Sequence, residues 1–457
     1  MKILTTILGP VLALVSGAMS WHSGAGMDIA CTTTVLVWCA IWWIFEPIPI
    51  PATSLIPIIF LPAFGVITPG QLGEAIGSPI ILLLMGGFFL STALTRSGAH
   101  RRIAIMIVRR IGLRPRLIVI GFMIAAASLS MWISNVATTL MLVPIALAAI
   151  ESNESPEFRA TLLLAVAYAA SVGGIGTPIG TTPNLIFLQV LDSVGGETPG
   201  FLEWMTWTLP IVVIMLPLMA WWLTRNISDT GSTTFPELGP WRPEEIRTLT
   251  IFALTAAAWV FRKEPFGGWT DMIGLPAIND ASIALAAVLI MFLVPNGKGG
   301  GQRLLNWETA EAVPWGTLIL FAGGLALAKG FTVSGLDQLI GGSLGFFATL
   351  PPPVLVFGLC LLVTFLTEVT SNTATTALLM PVLAAVAVGS DLPPALLMAP
   401  AAISASFAFM LPVATGPNAI VYGTGTISTG KMAREGFVLN LLGAGVIGSV
   451  MLFVFYW

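Results

Sequence analysis

Two short polar stretches interrupt long apolar segments of this chain. Residues 132–139 read WISNVATT, and residues 369–376 read VTSNTATT. Their Ser, Asn and Thr side chains supply hydroxyl and amide groups that donate hydrogen bonds to anions, and oxygens that suit hard cations such as sodium. Residues 128–144 and 364–381 contain no Lys or Arg. An anion bound there would therefore be balanced by amide donors, helix dipoles and bound cations.

The same stretches belong to an internal repeat. The offset of 237 residues that carries residue 134 to residue 371 also aligns further segments, namely 74–75 with 311–312, 86–98 with 323–335, and Pro144 with Pro381. After a three-residue shift, GTTPN at 180–184 matches ATGPN at 414–418. Isolated Ser and Thr side chains in membranes mostly join helices, at about 0.6 kcal/mol per hydrogen bond. Recurrence of one polar pattern in both halves instead predicts a binding function.

The composition indicates a membrane protein. Of 457 residues, 56% are hydrophobic and 9% are charged, and the mean hydropathy is +0.93. Since a transmembrane helix needs about 20 apolar residues, the sequence predicts an all-α polytopic membrane protein with about eleven spans and some shorter returning segments. Residues 1–19 resemble a secretory signal, but we expect them to form a retained first helix. The three cysteines lack CxxC spacing and predict no disulfide or metal site.

Basic residues set the expected orientation. Seven arginines fall between residues 96 and 116, and the positive-inside rule places that stretch in the cytoplasm. We therefore expect a multi-pass protein of the cell inner membrane with a cytoplasmic N-terminus. This count requires residues 117–150 and 353–388 to enter and return on one side, and each is too short for two spans. They are predicted to be re-entrant helical hairpins with the polar stretches at their tips.

An odd number of crossings separates the two hairpins, so the halves are expected to be inverted repeats, which are typical of transporters. Pro183 and Pro417 suit the first turn of a resumed half-helix. The N-termini of such discontinuous helices direct positive dipole ends at a ligand. We predict that a Ser-Asn tip and a Pro-Asn break from each half face one cavity and supply hydroxyls, amides and backbone groups to it.

Two further features have specific interpretations. Glu368 is the only charged residue in either tip segment. An intramembrane carboxylate is functional by default, but it can equally brace the hairpin through backbone N–H groups, and the sequence leaves both alternatives open. Residues 46–54, EPIPIPATS, predict a structural bend with Glu46 at the water interface, because prolines in alternation break helix geometry.

These motifs resemble those of the divalent anion/sodium symporters, which carry a Ser-Asn-Thr motif at the tip of each of two re-entrant hairpins. The resemblance covers nearly the whole chain, including EPIPIPATSL at 46–55. It implies a homodimer and an elevator-type transporter. Residues 1–116 and 225–352 would form the scaffold, while residues 117–224 and 353–457 would carry the hairpins and broken spans as the moving part.

The resemblance also implies binding residues. A first sodium ion would be held by Ser130, Ser134, Asn135 and Gly180, and a second by Thr367, Thr370, Asn372 and Ala414, with Gly180, Thr370 and Ala414 acting through backbone carbonyls. The substrate carboxylates would meet Ser134, Asn135, Val136, Thr181, Ser371, Asn372, Thr373 and Thr415. The first tip departs from the family motif, because Val136 lacks the hydroxyl expected at the third position.

The leading functional hypothesis is sodium-coupled uptake of C4 dicarboxylates such as succinate, malate or fumarate. Sodium-independent dicarboxylate exchange is the alternative within transport, and citrate or sulfate are alternative substrates. An intramembrane hydrolase would need a base beside its nucleophile, and neither tip has a His or Lys near its Ser. A channel is disfavoured, because inverted repeats around discontinuous helices favour alternating access.

Overall fold

The computed structural model describes residues 2–151, 155–227, 238–263, 268–311, 313–343 and 350–456. Within these ranges the protein is helical, and strand-like pairing is limited to an isolated bridge between Pro295 and Arg303. The first half contains α1 (Lys2–His22), α2 (Met27–Phe45), α3 (Ile50–Thr53), α4 (Leu55–Ala63), α5 (Pro69–Ile76), α6 (Pro79–Ser97), α7 (Ala99–Ile111), α8 (Pro115–Ser130), α9 (Asn135–Glu151), α10 (Pro156–Gly174), α11 (Thr182–Ser193) and α12 (Phe201–Thr224).

The described residues of the second half form eleven helices, the last eight of which follow the order of α5 to α12. These helices are α13 (Pro243–Val260), α14 (Gly268–Met272), α15 (Asp280–Leu293), α16 (Trp307–Ala310), α17 (Trp315–Ser334), α18 (Leu336–Ser343), α19 (Pro352–Leu366), α20 (Asn372–Gly389), α21 (Pro394–Ser404), α22 (Gly416–Gly423) and α23 (Thr429–Tyr456). Seven of the described helical segments are long and apolar enough to cross a membrane, and six shorter apolar ones accompany them. The broken spans expected from the sequence correspond to α10 with α11 and α21 with α22.

Equivalent turns show that the repeat extends to backbone geometry. Gly98 ends α6 with φ 75°, and Gly335 ends α17 with φ 78°. Both values lie in the left-handed region, which glycine adopts without a steric cost. These two residues are 237 positions apart, so the sequence offset and the local structure agree.

Prolines start the helices that surround the two breaks. A Pro occupies the first or second helical position of α8, α10, α11, α19, α21 and α22. At these positions the missing N–H would have had no partner within the helix, and the fixed φ angle favours helix entry. The predicted positions of Pro183 and Pro417 in a first turn are confirmed.

The two predicted hairpins are present as pairs of helices with a break at the polar motif. In the first half α8 ends at Ser130 and α9 begins at Asn135, and in the second half α19 ends at Leu366 and α20 begins at Asn372. Both arms of the first hairpin contact α10, and both arms of the second contact α21. Each tip is therefore held against the discontinuous helix of its own half.

The core of the protein is built on α10 and α21. Nearly every residue of both helices is buried, which fits sequences that are apolar on all sides. Small residues allow close approach around these helices: a Cβ added at Gly173 would lie 2.4 Å from the Cα of Ala127 in α8. Gly86 and Gly323 also allow close packing, against Ala284 and Ser54 respectively.

Two ion pairs join the ends of three helices. Arg225 contacts Glu435 at 2.8 Å, and Lys431 contacts Glu157 at 2.8 Å. These contacts bring the ends of α12, α23 and α10 together. The three helix ends therefore lie on the same side of the fold.

The EPIPIPATS bend is also present. Helix α2 ends at Phe45, the exposed Glu46 adopts a left-handed conformation with φ 44°, and the four-residue α3 starts at Ile50. The prolines prevent α2 from continuing into α4, so the chain turns here as predicted.

Candidate functional site

Both hairpin tips and both helix breaks line one cavity of about 200 Å³. The substrate residues expected from the sequence all lie on its wall, namely Ser134, Asn135, Val136, Thr181, Ser371, Asn372, Thr373 and Thr415. Gly180 and Ala414, expected to offer carbonyls to sodium, line it as well. The remaining wall comes mainly from α6, through Leu84, Gly87, Phe88 and Ser91. The fold therefore brings residues from five segments, the two tips, the two breaks and α6, to one polar site.

Four helix N-termini converge on this cavity. Helices α9, α11, α20 and α22 each place first-turn residues on its wall. Each N-terminus carries unpaired N–H groups and about half a positive charge from the helix dipole. Among the described residues that line the cavity, none is a Lys or an Arg. A bound anion would thus be neutralised by backbone dipoles and amide donors, as the tip sequences predict.

The two tip asparagines are oriented by equivalent hydrogen bonds. Ser130 donates to the Oδ1 of Asn135 at 2.7 Å, and Thr367 donates to the Oδ1 of Asn372 at 2.7 Å. Ser130 and Thr367 are fully buried behind the cavity wall. In the part of the chain that the structure describes, the amide nitrogens of both asparagines have no hydrogen-bond partner. Each amide therefore keeps its N–H donors available for a ligand.

Carbonyl oxygens crowd the break at Gly180. A Cβ built on Gly180 would lie 2.4 Å from the carbonyl oxygen of Gly174, 2.9 Å from that of Ser130 and 3.0 Å from that of Met131. Carbonyl and hydroxyl oxygens are suitable ligands for a hard cation. The absence of a side chain at Gly180 keeps this oxygen-rich space open. Asn135 is close to it, because its Oδ1 lies 2.3 Å from the position that a Cβ on the adjacent Gly174 would take.

The remaining member of the second expected sodium set is Thr370. Its hydroxyl donates to the carbonyl of Leu366 at 2.8 Å and shares a 2.6 Å hydrogen bond with Thr375. Thr367, beside its bond to Asn372, is also 3.1 Å from the carbonyl of Ala405. The hydroxyls of Thr367 and Thr370 are thus engaged with the hairpin and the α21–α22 loop, leaving backbone carbonyls as the oxygens that Thr370 and Ala414 can offer.

The asparagines of the two Pro-Asn breaks do not face the cavity. Asn184 is fully buried, and its amide nitrogen donates to the carbonyls of Gly174 at 3.1 Å and Thr177 at 2.8 Å. Its counterpart Asn418 bonds two carbonyls of the α21–α22 loop in the same way. Both breaks line the cavity as predicted, but the amide groups come from the tip asparagines, and the breaks contribute hydroxyl and backbone groups. The break asparagines satisfy carbonyls left without partners where the preceding helix ends.

Glu368 braces the second hairpin. Its carboxylate accepts hydrogen bonds from the backbone N–H groups of Met410 at 2.9 Å and Leu411 at 3.0 Å, and from the side chain of Asn440 at 2.6 Å. Only 3% of the residue is exposed, and it does not line the cavity. Of the two alternatives that the sequence left open, the structure supports the bracing role. The equivalent position in the first half is Met131, which has no charge.

Val136 faces both the cavity and the opposite half of the protein. Its side chain is 42% exposed and lines the cavity. Its Cγ2 lies 2.5 Å from the position that a Cβ on Gly416 would take. The third position of the first tip therefore packs against the N-terminus of α22, and Gly416 leaves room for it.

Sequence reasoning missed Trp132 and Thr182, which also line the cavity. Trp132 stacks on Phe201, with ring centroids 6.0 Å apart, and on Trp259, at 6.5 Å and an interplanar angle of 5°. The sequence contained an indication of each residue. Trp132 is the first residue of the polar stretch WISNVATT, and Thr182 is the second Thr of GTTPN, where the other half has Gly.

A polar cavity formed by the tips and breaks of two inverted helical repeats defines a membrane transporter rather than an enzyme. The chain belongs to the sodium:sulfate symporter family, whose transmembrane region matches residues 4–457. It is 39% identical over 472 residues to the sodium-dependent dicarboxylate transporter SdcS of Staphylococcus saprophyticus, covering 98% of this chain and 90% of that one. It is 38% identical over 478 residues to SdcS of Staphylococcus aureus, covering 99% and 91%.

Solved structures share the fold at low sequence identity. The YdaH transporter of Alcanivorax borkumensis superposes with a TM-score of 0.62 at 16% identity, over 85% of this chain and 87% of that one. MtrF of Neisseria gonorrhoeae superposes with a TM-score of 0.59 at 14% identity, over 84% and 82%. These similarities concern architecture alone.

Proposed function

We propose that this protein is a secondary active transporter that couples sodium entry to the uptake of C4 dicarboxylates such as succinate, malate and fumarate. The observation that carries the proposal is the convergence of four helix N-termini and two tip asparagines on a cavity without basic side chains. A dianion in such a site is stabilised by donors and dipoles, and adjacent cations supply the remaining charge balance. The named relatives are sodium-dependent dicarboxylate transporters, which supports the choice of substrate class.

The proposed ligand sets are those expected from the sequence. One sodium ion binds Ser130, Ser134, Asn135 and Gly180, and another binds Thr367, Thr370, Asn372 and Ala414. The substrate carboxylates bind the cavity-lining residues of both tips and both breaks. Each tip asparagine then serves a cation through its carbonyl oxygen and the substrate through its amide nitrogen, which links the two binding events.

The proposed transport cycle is an elevator movement within a homodimer in the cell inner membrane, with the N-terminus in the cytoplasm. Residues 117–224 and 353–457 carry the cavity and move, while residues 1–116 and 225–352 form the scaffold. The bracing of both tips against α10 and α21 supports movement of the hairpins and broken helices as one body.

Uptake by proteoliposomes tests the proposal. The purified protein is expected to accumulate labelled succinate when an inward sodium gradient is imposed and to lose accumulation when choline replaces sodium. Excess unlabelled malate or fumarate should compete, whereas citrate or sulfate should compete weakly. Succinate counterflow that proceeds equally well in choline would favour sodium-independent exchange, and stronger competition by citrate or sulfate would reassign the substrate.

A further inference from the structure

The cavity departs from the symmetry of the repeat at two pairs of positions. Val136 in the first tip corresponds to Thr373 in the second, and Thr182 at the first break corresponds to Gly416 at the second. All four residues line the cavity. In each pair, therefore, one residue carries a hydroxyl and its counterpart in the repeat does not.

The packing of the halves groups these residues by type. The first tip contacts the second break, because α9 packs on α22, and the second tip contacts the first break, because α20 packs on α11. Val136 lies directly against Gly416. In the repeat, Thr373 of α20 and Thr182 of α11 are the counterparts of Val136 and Gly416, and both line the cavity at the starts of two helices that pack together. The cavity therefore carries a Val–Gly pair from one contact between a tip and a break and two Thr residues from the other.

The free hydroxyls follow the same division. In the described part of the chain, the side chains of Thr182, Thr373 and Ser371 have no protein hydrogen-bond partner. At the other end, the hydroxyls of Ser134 and Thr415 accept hydrogen bonds from backbone N–H groups at 3.3 and 3.1 Å. Accepting these bonds leaves the O–H groups of Ser134 and Thr415 free to donate, so the two ends differ in the number of hydroxyl side chains. The end formed by α11 and α20 carries Thr181, Thr182, Ser371 and Thr373, and the other end carries Ser134 and Thr415.

We infer that the cavity binds its substrate in a fixed direction, with Thr182 as a substrate-contacting residue. One carboxylate lies at the Thr182–Thr373 end, where it receives hydroxyl hydrogen bonds, and the other group of the substrate lies against Val136 and Gly416. This inference rests on the proposed dicarboxylate function. It adds a residue outside the Ser-Asn-Thr motifs and makes the two carboxylate subsites unequal.

Binding of two probes to purified protein in sodium tests the inference. Thr182→Val keeps the shape of the side chain and removes one hydroxyl. It is expected to weaken succinate binding about tenfold, as loss of one hydrogen bond to a charged acceptor does, whereas Thr182→Ser should retain affinity within a factor of about three. A structural role would lower the melting temperature of both variants and would not be rescued selectively by Ser.

Monomethyl succinate, which has one carboxylate and one ester, tests the direction in which the substrate lies in the cavity. It should compete with succinate, lose affinity in Thr182→Val, and keep its affinity in Val136→Thr, because its ester occupies the Val136 end. Equal effects of the two substitutions on this probe would show equivalent ends and overturn the inference. Absence of competition even in large excess would also overturn it, since both ends would then require a carboxylate. Failure of the wild-type protein to bind succinate would refute the proposed function instead.

Discussion

Glu368 and Asn440 lie 2.6 Å apart across the second half of the protein, joining the second hairpin to the last helix. Asn440 also accepts a hydrogen bond from the backbone N–H of Phe409 at 3.2 Å. The carboxylate, the amide and the loop between α21 and α22 thus form one buried network. In such a network a partly satisfied group is costly, because the surrounding dielectric is low.

Glu368→Gln tests the bracing role of this carboxylate. The amide that replaces one oxygen cannot accept a hydrogen bond from Met410 or Leu411, so at least one backbone N–H is left unsatisfied in a buried position. We expect a loss of about 1–3 kcal/mol in stability, measured as a lower melting temperature of the detergent-solubilised protein. Glu74→Gln, at an exposed position, is the matched control and should leave the melting temperature unchanged. Unaltered stability of Glu368→Gln would contradict the bracing role.

The tip asparagines are expected to be essential for transport. Asn135→Ala and Asn372→Ala each remove an amide that is proposed to serve a cation and the substrate together. Uptake of succinate should fall to background in both variants at matched expression. Ser449→Ala, at an exposed position outside the cavity, should transport normally. Near-normal uptake by either Asn variant would show that the tip amide serves packing and does not bind the ligand.

Sodium removal should abolish stabilisation by the substrate. Because the cavity has no basic side chain, a dianion is expected to bind only together with cations, by linkage through the shared asparagines. Succinate at about 100 times its dissociation constant should stabilise the protein by about 2.7 kcal/mol in sodium buffer and negligibly in choline buffer. Thermal unfolding in the two buffers gives the comparison, and equal stabilisation in both would make exchange the better interpretation.

Substitutions at the third motif position should have opposite effects in the two tips. Val136→Thr adds a hydroxyl at a side chain that is exposed to the cavity and should tighten succinate binding, by tenfold at most for a gain of about 1.5 kcal/mol. Thr373→Val removes the hydroxyl from the other tip and should weaken binding by a similar factor. Titration calorimetry in sodium buffer measures both. Unchanged affinity in both variants would mean that this position does not contact substrate.

The positions of the tips were predictable because the pattern that marks them is local. A Ser-Asn motif in an apolar segment must interrupt the helix or face a cavity, and its recurrence at a fixed offset showed that both copies share one role. The amide nitrogens of Asn135 and Asn372 remain available to a ligand because the Oδ1 atoms accept hydrogen bonds from Ser130 and Thr367. These partners lie five positions earlier in the same hairpin.

Features that depend on distant packing were not predictable. The bracing role of Glu368 requires Asn440, which lies 72 residues further along the chain. Asn184 turns away from the cavity because its amide is needed by carbonyls at the end of α10, a demand that appears only once the chain folds back. The packing of Val136 on Gly416 comes from the contact between halves, which no local pattern encodes.

The aromatic stack of Trp132 has an optical consequence. Trp132 belongs to the first hairpin tip, whereas Trp259 belongs to α13 in the proposed scaffold, and their rings are almost parallel at 6.5 Å. Closely spaced indoles couple their electronic transitions, so any displacement of the tip relative to α13 changes the near-ultraviolet circular dichroism of the pair. A sodium- or succinate-dependent change in that signal, absent in Trp132→Phe, would follow the movement of the transporter without an added label.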